Sequence, residues 1–234
     1  MADRDAPEQL TARPSLLFDL DGTLVDSVYQ HVLAWRHALE KEGIELSVWR
    51  IHRKIGMSGG LFANALLRET GRDFGPEQVG RLQELHSAYY REQLDQVRPL
   101  PGVRGLLDRL TAAGVPWAIA TSGERPGAEA SIRLLGVEPA VVVTRDEVPY
   151  AKPDPHLFLA AAHRLGVDIE HAIVVGDSIW DMLAAQRARA LGVGLLSGGY
   201  GADELARAGA FRVYEDAGDL DRHLDELGIR NPGP

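Results

Sequence analysis

Ser15-Leu16-Leu17-Phe18-Asp19-Leu20-Asp21-Gly22-Thr23-Leu24-Val25-Asp26-Ser27 is an apolar run that ends in acids, a glycine and a hydroxyl residue. The run is short and is stopped by a turn signal at Asp21-Gly22, so it reads as a buried strand opening into a loop. Chemistry is expected at the end of that strand.

Working outward, the pattern changes after Asp26. Val28, Val32, Trp35 and Leu39 recur at helical spacing, and Leu82, Leu85, Tyr89 and Leu94 mark a second amphipathic helix, with no convincing strand between Asp26 and Arg98. Beyond Pro101-Gly102, apolar runs at Trp117 to Ala120, Ala140 to Val143, Ala172 to Val175 and Val193 to Leu196 alternate with helical segments such as Leu157 to Leu165 and Ile179 to Arg189. Strand and helix in alternation imply right-handed crossovers and a Rossmann-like α/β fold, a parallel sheet with helices on both faces. The expected organisation is a flexible leader over 1–14, an α/β core formed by 15–25 and 99–230, and an inserted helical cap over 26–98. The two linkers, near Leu24-Val25-Asp26 and Val97-Arg98-Pro99, would lie side by side as a hinge.

The totals narrow the function classes. A formal charge of -9 opposes binding to a phosphodiester backbone, so a small-molecule partner is expected and a nucleic acid is not. There is no cysteine, which excludes disulfides and thiolate metal sites and leaves oxygen or imidazole ligands for any metal. Met1 to Pro14 lacks the apolar run of a signal peptide, and no stretch is long and charge-free enough for a transmembrane helix. A cytoplasmic protein is the expectation. Oligomeric state is open at this stage.

Open parallel sheets bind ligands beyond the carboxyl ends of their strands. The residues just past the apolar runs are Asp19 and Asp21, then Thr121-Ser122-Gly123, then Lys152, then Asp177 and Asp181. Singly, Asp21-Gly22 would be an ordinary turn, Asp26 or Ser27 a helix cap, and Lys152 a solvated loop lysine. Jointly they bring four carboxylates, a hydroxyl and an ammonium to one crevice. Carboxylates so crowded repel one another and call for a hard cation, magnesium being the usual choice where phosphate oxygens complete the shell.

Phe18 to Ser27 resembles the signature of the haloacid dehalogenase superfamily. Ala120-Thr121-Ser122-Gly123 is similar to its second motif, Lys152-Pro153-Asp154-Pro155 to its third, and Gly176-Asp177-Ser178-Ile179-Trp180-Asp181 to its fourth. Four motifs in order at strand ends are a specific signal. The resemblance, nearest to the phosphoglycolate phosphatase and β-phosphoglucomutase branch, implies a magnesium-dependent phosphatase. Asp19 would attack phosphorus, and Asp21, two residues on and facing the same way, would protonate the leaving alkoxide and later deprotonate water. Gly22, Thr121, Ser122 and Lys152 would bind the phosphoryl group. The metal would be held by the Asp19 and Asp177 carboxylates and the Asp21 carbonyl, with Asp181, one helical turn beyond Asp177, in or beside the shell.

The cap is where substrates would be selected. His31 falls where the β-phosphoglucomutase branch has a histidine near the acid/base aspartate, and Gly56-Met57-Ser58-Gly59-Gly60 would be the loop that reaches over the site. The mutase has an arginine where Gly59 falls, so hydrolysis of a small phosphorylated metabolite is the expectation, with a sugar phosphomutase as the alternative. A dehalogenase has no use for the proton of Asp21. A phosphonate-cleaving relative needs a cap lysine, and only Lys41 and Lys54 are available. A phosphoacceptor receiver domain has no place for the insertion, and a non-catalytic binding relative would be expected to have lost one of the acids. Trp35 and Trp49 are expected in the core rather than as substrate platforms.

Overall fold

The computed structural model describes residues 13–57, 59–71 and 75–229. Residues 1–12 of the expected leader and the C-terminal Arg230 to Pro234 lie outside the described residues. The chain opens with β1 (Ser15–Phe18) and reaches β2 (Val25–Asp26) after a tight loop. Helices α1 (Val28–Lys41), α2 (Val48–His52), α3 (Gly59–Thr70) and α4 (Pro76–Glu92) follow. β3 (Arg98–Pro99) then returns antiparallel to β2, with Val25 opposite Pro99 and Asp26 opposite Arg98. The two connections to the helical block are thus hydrogen-bonded to each other.

From there strand and helix alternate: α5 (Val103–Ala112), β4 (Trp117–Ala120), α6 (Arg125–Leu135), β5 (Val142–Val143) and α7 (His156–Leu165). They continue with β6 (Ala172–Gly176), α8 (Ile179–Ala188), β7 (Leu191–Leu195), α9 (Ala202–Arg207), β8 (Ala210–Tyr214) and α10 (Ala217–Arg222). Six strands form one parallel sheet in the order β5-β4-β1-β6-β7-β8. The chain winds from β1 to one side through β4 and β5, then crosses to the other side at β6. That reversal opens the crevice in which such sheets bind ligands.

Strand periodicity explains the two layers. Leu16 and Phe18, Trp117 and Ile119, and Ile173 and Val175 face one core, which α5 fills with Val103, Leu106, Leu107 and Leu110. The intervening Leu17, Ala118 and Val174 face the opposite core, against Leu157, Phe158 and Ala161 of α7. The insertion has a third core of its own, in which Val28, Val32, Trp35 and Leu39 of α1 meet Ile51, Phe62, Leu66 and Leu82.

The structure adds to the sequence reading in two places and corrects it in two. β8 was not read from the sequence, because an edge strand that exposes Phe211 and Arg212 lacks a continuous apolar run. The buried positions of α4 are Leu82 and Tyr90, with Leu85 and Tyr89 only partly buried at the margins of that stripe. Trp49 is 63% exposed rather than core, because α2 is a single turn or so that buries only Ile51. Asp26 does not cap α1; it is exposed in β2, and Ser27 holds the N-cap position.

Truncation of Leu107, fully buried beneath the sheet and remote from the crevice, should test this packing. Leu107→Ala is expected to lower the unfolding free energy by ~2–5 kcal/mol in urea titration. A loss under about 1 kcal/mol would show that α5 does not seal the core as described.

Candidate active site

Parallel pairing sets the motif residues level. Beyond the strand ends, Asp19 N–H donates to the Val175 carbonyl at 2.9 Å and Thr121 N–H to the Val143 carbonyl at 3.0 Å. The Leu20 carbonyl accepts from Leu24 N–H at 2.9 Å and Val25 N–H at 3.1 Å, closing the loop that carries Asp21. Gly22 turns that loop with φ +84°, in the left-handed region that glycine adopts at little cost.

The Asp19, Asp177 and Asp181 carboxylates converge, with one oxygen of each within 4.8 Å of the others, and all three are buried. Lys152 is fully buried among them. Its ammonium forms ion pairs with Asp19 and, at 2.8 Å, with Asp181 Oδ1, and it lies 5.8 Å from the ring centre of Phe158. Thr23 Oγ1 donates to Asp177 Oδ1 at 2.9 Å. Ser178 donates to Asp181 Oδ2 from both its hydroxyl, at 2.6 Å, and its backbone N–H, at 3.1 Å. Close packing leaves these acids no freedom: a Cβ on Gly198 or Gly22 would run into Asp177, and one on Gly176 into Asp181.

Burial pushes the Asp19 carboxyl up to about 7 against the opposing pull of Lys152, and burial with the neighbouring Asp181 and Asp19 charges raises Asp177 well above its usual range. The electrostatic ledger of the pocket is therefore short of positive charge: one ammonium faces three carboxylates. The donors are all hard oxygens, so the residues fit a divalent cation such as magnesium.

Asp21 is not part of that trio. Its Oδ1 accepts from Ser27 Oγ at 2.6 Å and lies 3.2 Å from His31 Nε2, at ion-pair distance without the alignment of a hydrogen bond. Its Oδ2 faces the second-motif loop, 3.8 Å from where a Cβ on Gly123 would stand. Burial alone would raise the Asp21 pKa, but His31 and Ser27 outweigh it and hold the carboxyl below the usual carboxylate range. His31 thus lies beside Asp21. Thr121 is buried with its Oγ1 accepting from Gly123 N–H at 3.0 Å, while Ser122 Oγ donates to the Gly56 carbonyl at 3.1 Å.

That last bond brings the cap to the site. Gly56 packs so closely that a Cβ would strike Ser178 Oγ. Gly59 and Gly60 belong to α3 rather than to the loop, and Ser58 lies outside the described residues. Four residues that the motifs did not reveal complete the contact. His52 Nε2 lies 2.8 Å from the Gly198 carbonyl, Tyr200 donates to the Arg53 carbonyl at 2.7 Å, and the Arg53 guanidinium grips Glu204 while lying 4.2 Å over the Tyr200 ring. Lys54 is paired with Glu69 within the cap. Nothing in the spacing of single charged residues signals such partners, because they come from distant parts of the chain.

The chain matches the model of the haloacid dehalogenase-like hydrolases over residues 15–189. A hydrolase from Pseudomonas syringae has the same architecture, with a TM-score of 0.89 and 55% identity over 91% of this chain and 98% of that one. Among curated relatives, hexitol phosphatase A of Escherichia coli is 34% identical over 69% of this chain and 73% of its own length. A phosphoglycolate phosphatase of Rhodospirillum rubrum is 31% identical over 94% of this chain and 92% of its own.

The raised carboxyls generate a metal prediction with a definite sign. A carboxyl whose folded pKa lies above its unfolded value stabilises the fold below about 3.8, and that contribution is lost as pH rises through the folded value, about 7 for Asp19. Protons and metal compete for the same oxygens, so magnesium should raise the melting temperature more at pH 8 than at pH 5.5. At about 100 times Kd the full gain is ~2.7 kcal/mol, roughly 5–10 °C for a chain of this size. Equal gains at the two pH values, or none, in differential scanning calorimetry would contradict the assignment of the cluster.

Proposed function

We propose that this chain, which belongs to the haloacid dehalogenase-like hydrolase family, hydrolyses a small phosphate monoester through a phosphorylated Asp19. The observation that carries the reading is the buried Lys152 held between Asp19 and Asp181, with Asp177 alongside. In the first step an Asp19 oxygen attacks phosphorus, the ester P–O bond breaks, and Asp21 gives its proton to the departing alkoxide. In the second, Asp21 takes a proton from water, the water oxygen attacks phosphorus, and the bond to Asp19 breaks to release phosphate. Asp21 is held as a carboxylate in the free protein, and an arriving phosphate dianion would favour its protonated form by like-charge repulsion.

Uncatalysed hydrolysis of such esters is slow enough to need accelerations up to ~10²¹, so charge must be stabilised as well as delivered. Lys152, the Thr121 hydroxyl and the backbone N–H groups of the Gly22 and Ser122 loops are the chain's own donors for the phosphoryl oxygens. Asp19, Asp177 and Asp181, with the Asp21 carbonyl, would hold magnesium, which when bound neutralises phosphoryl charge. The helical insertion over 26–98 serves as the cap that keeps bulk water from the intermediate.

The cap also favours hydrolysis over a mutase. A mutase must retain a bisphosphorylated intermediate, which benefits from a free cation above the site. Arg53 and Lys54 are instead committed to Glu204 and Glu69. The relatives named as phosphatases support the same reading.

Asp19→Asn and Asp21→Asn should each release phosphate at less than about one hundredth of the parent rate while remaining folded. Turnover of either variant near the parent rate would sink the division of roles. With a hexose 1-phosphate and its bisphosphate activator, ³¹P NMR should show inorganic phosphate or no reaction. Efficient conversion to the 6-phosphate would instead identify a mutase.

A further inference from the structure

His31 does not stand alone behind Asp21. Its Nδ1 lies 3.1 Å from Nε2 of His86, which projects from α4 on the same stripe as Leu82 and Tyr90. The two imidazole centres lie 5.2 Å apart. His31 lies flat on the Tyr90 ring at 3.9 Å, and His86 on the Trp35 ring at 4.3 Å. Trp35 is itself stacked on Phe62 at 4.3 Å. Each ring thus lies against one aromatic face while the two meet at their nitrogen edges, and what they exchange depends on which nitrogens carry protons.

We propose that His86 is a positioning residue that keeps a proton on His31 Nε2, the ring nitrogen that lies 3.2 Å from the Asp21 carboxylate. The inference rests on the role of Asp21 proposed above. A neutral imidazole has one donor and one acceptor nitrogen, and the choice follows from what each must face. If a neutral His31 carried its proton on Nδ1, its Nε2 would be an unprotonated nitrogen 3.2 Å from Asp21 Oδ1, acceptor beside acceptor. A donor N–H on His86 Nε2 excludes that arrangement and leaves His31 protonated on Nε2. If His31 is a cation, its Nδ1–H donates and His86 Nε2 accepts, and again Nε2–H faces Asp21. His86 serves both cases because it is itself held neutral, its pKa well below the usual range through burial and the adjacent His31. No second cation is then forced against the first.

The arrangement matters because the Asp21 carboxylate has two oxygens with separate duties. Ser27 Oγ and His31 hold Oδ1 from the hinge side, which leaves Oδ2 turned toward the Thr121 to Gly123 loop. An unprotonated His31 Nε2 would repel Oδ1 and let the carboxylate rotate. The loss should therefore be felt in the rate of proton transfer more than in substrate binding.

Two variants separate the hydrogen bond from the packing. His86→Phe keeps the ring on Trp35 without a polar atom, whereas His86→Gln keeps a group that can donate or accept near Nε2. With any turned-over monoester, His86→Phe should lower kcat about tenfold with KM changed less than about twofold, and His86→Gln should recover most of the loss. Long-range ¹H–¹⁵N spectra of the parent, which need no substrate, should show His31 protonated on Nε2, and His86→Phe should shift it toward the Nδ1–H form. A parent His31 protonated on Nδ1 alone would overturn the proposal, as would an unchanged His31 spectrum or an unchanged kcat in His86→Phe. Failure of the parent to hydrolyse any monoester would remove the hydrolase reading and leave the spectra to decide on His86.

Discussion

Three carboxylates share a buried pocket with one ammonium, and much of the local sequence is constrained by that crowding. Removing an ionised group from water costs several kcal/mol unless charge and hydrogen bonds replace the lost solvation. Here the replacement comes from groups fixed by backbone: Thr23 on the loop after β1, Ser178 at the start of α8, and Lys152 seated by Phe158. Side chains larger than hydrogen are excluded wherever the acids need room, at Gly22, Gly176 and Gly198. A bound divalent cation would remove the remaining imbalance, which explains how a cluster so unfavourable by itself can persist in a folded protein.

The cap is attached to this cluster at two places. At the hinge, β2 and β3 pair as a short ribbon next to Ser27. At the far side, His52 holds the carbonyl of Gly198, the residue packed directly against Asp177. The Arg53–Glu204 pair lies beside it, partly exposed, where an ion pair adds at most ~1 kcal/mol and chiefly fixes orientation. His52 thus links the cap to the residue packed against Asp177, so the seating of the cap and the position of Asp177 are mechanically connected.

Much of this could be read in the sequence, for identifiable reasons. Strands buried on both faces, such as Leu16 to Phe18 and Ile173 to Val175, leave continuous apolar runs, and parallel pairing puts whatever follows them in one crevice. Asp19, Lys152, Asp177 and Asp181 were therefore legible together. Signals failed where structure depends on distant partners or on half-buried surfaces. β8 is an exposed edge, Trp49 rides a helix too short to have a periodicity, and His86 is polar on a stripe otherwise read from Leu82 and its apolar neighbours. His31 could be placed only by resemblance, since a lone helical histidine carries no spacing of its own.

The position of Asp21 joins these two levels. Its backbone belongs to the core, in the loop after β1, but the groups that fix its Oδ1 belong to the start of α1. Ser27 immediately precedes that helix and His31 lies one turn along it, so any rotation of α1 about the β2–β3 ribbon carries both with it. Asp19, Asp177, Asp181 and Lys152 are all carried by core segments, and their link to the cap runs through Gly198 and Ser178 rather than through α1. Rotation of α1 would therefore withdraw the hinge-side support of Asp21 directly and reach the charge cluster only through Gly198 and Ser178. On the roles proposed above, the groups that would bind the phosphoryl oxygens are carried by the core, whereas the acid/base Asp21 is held in part from the start of α1.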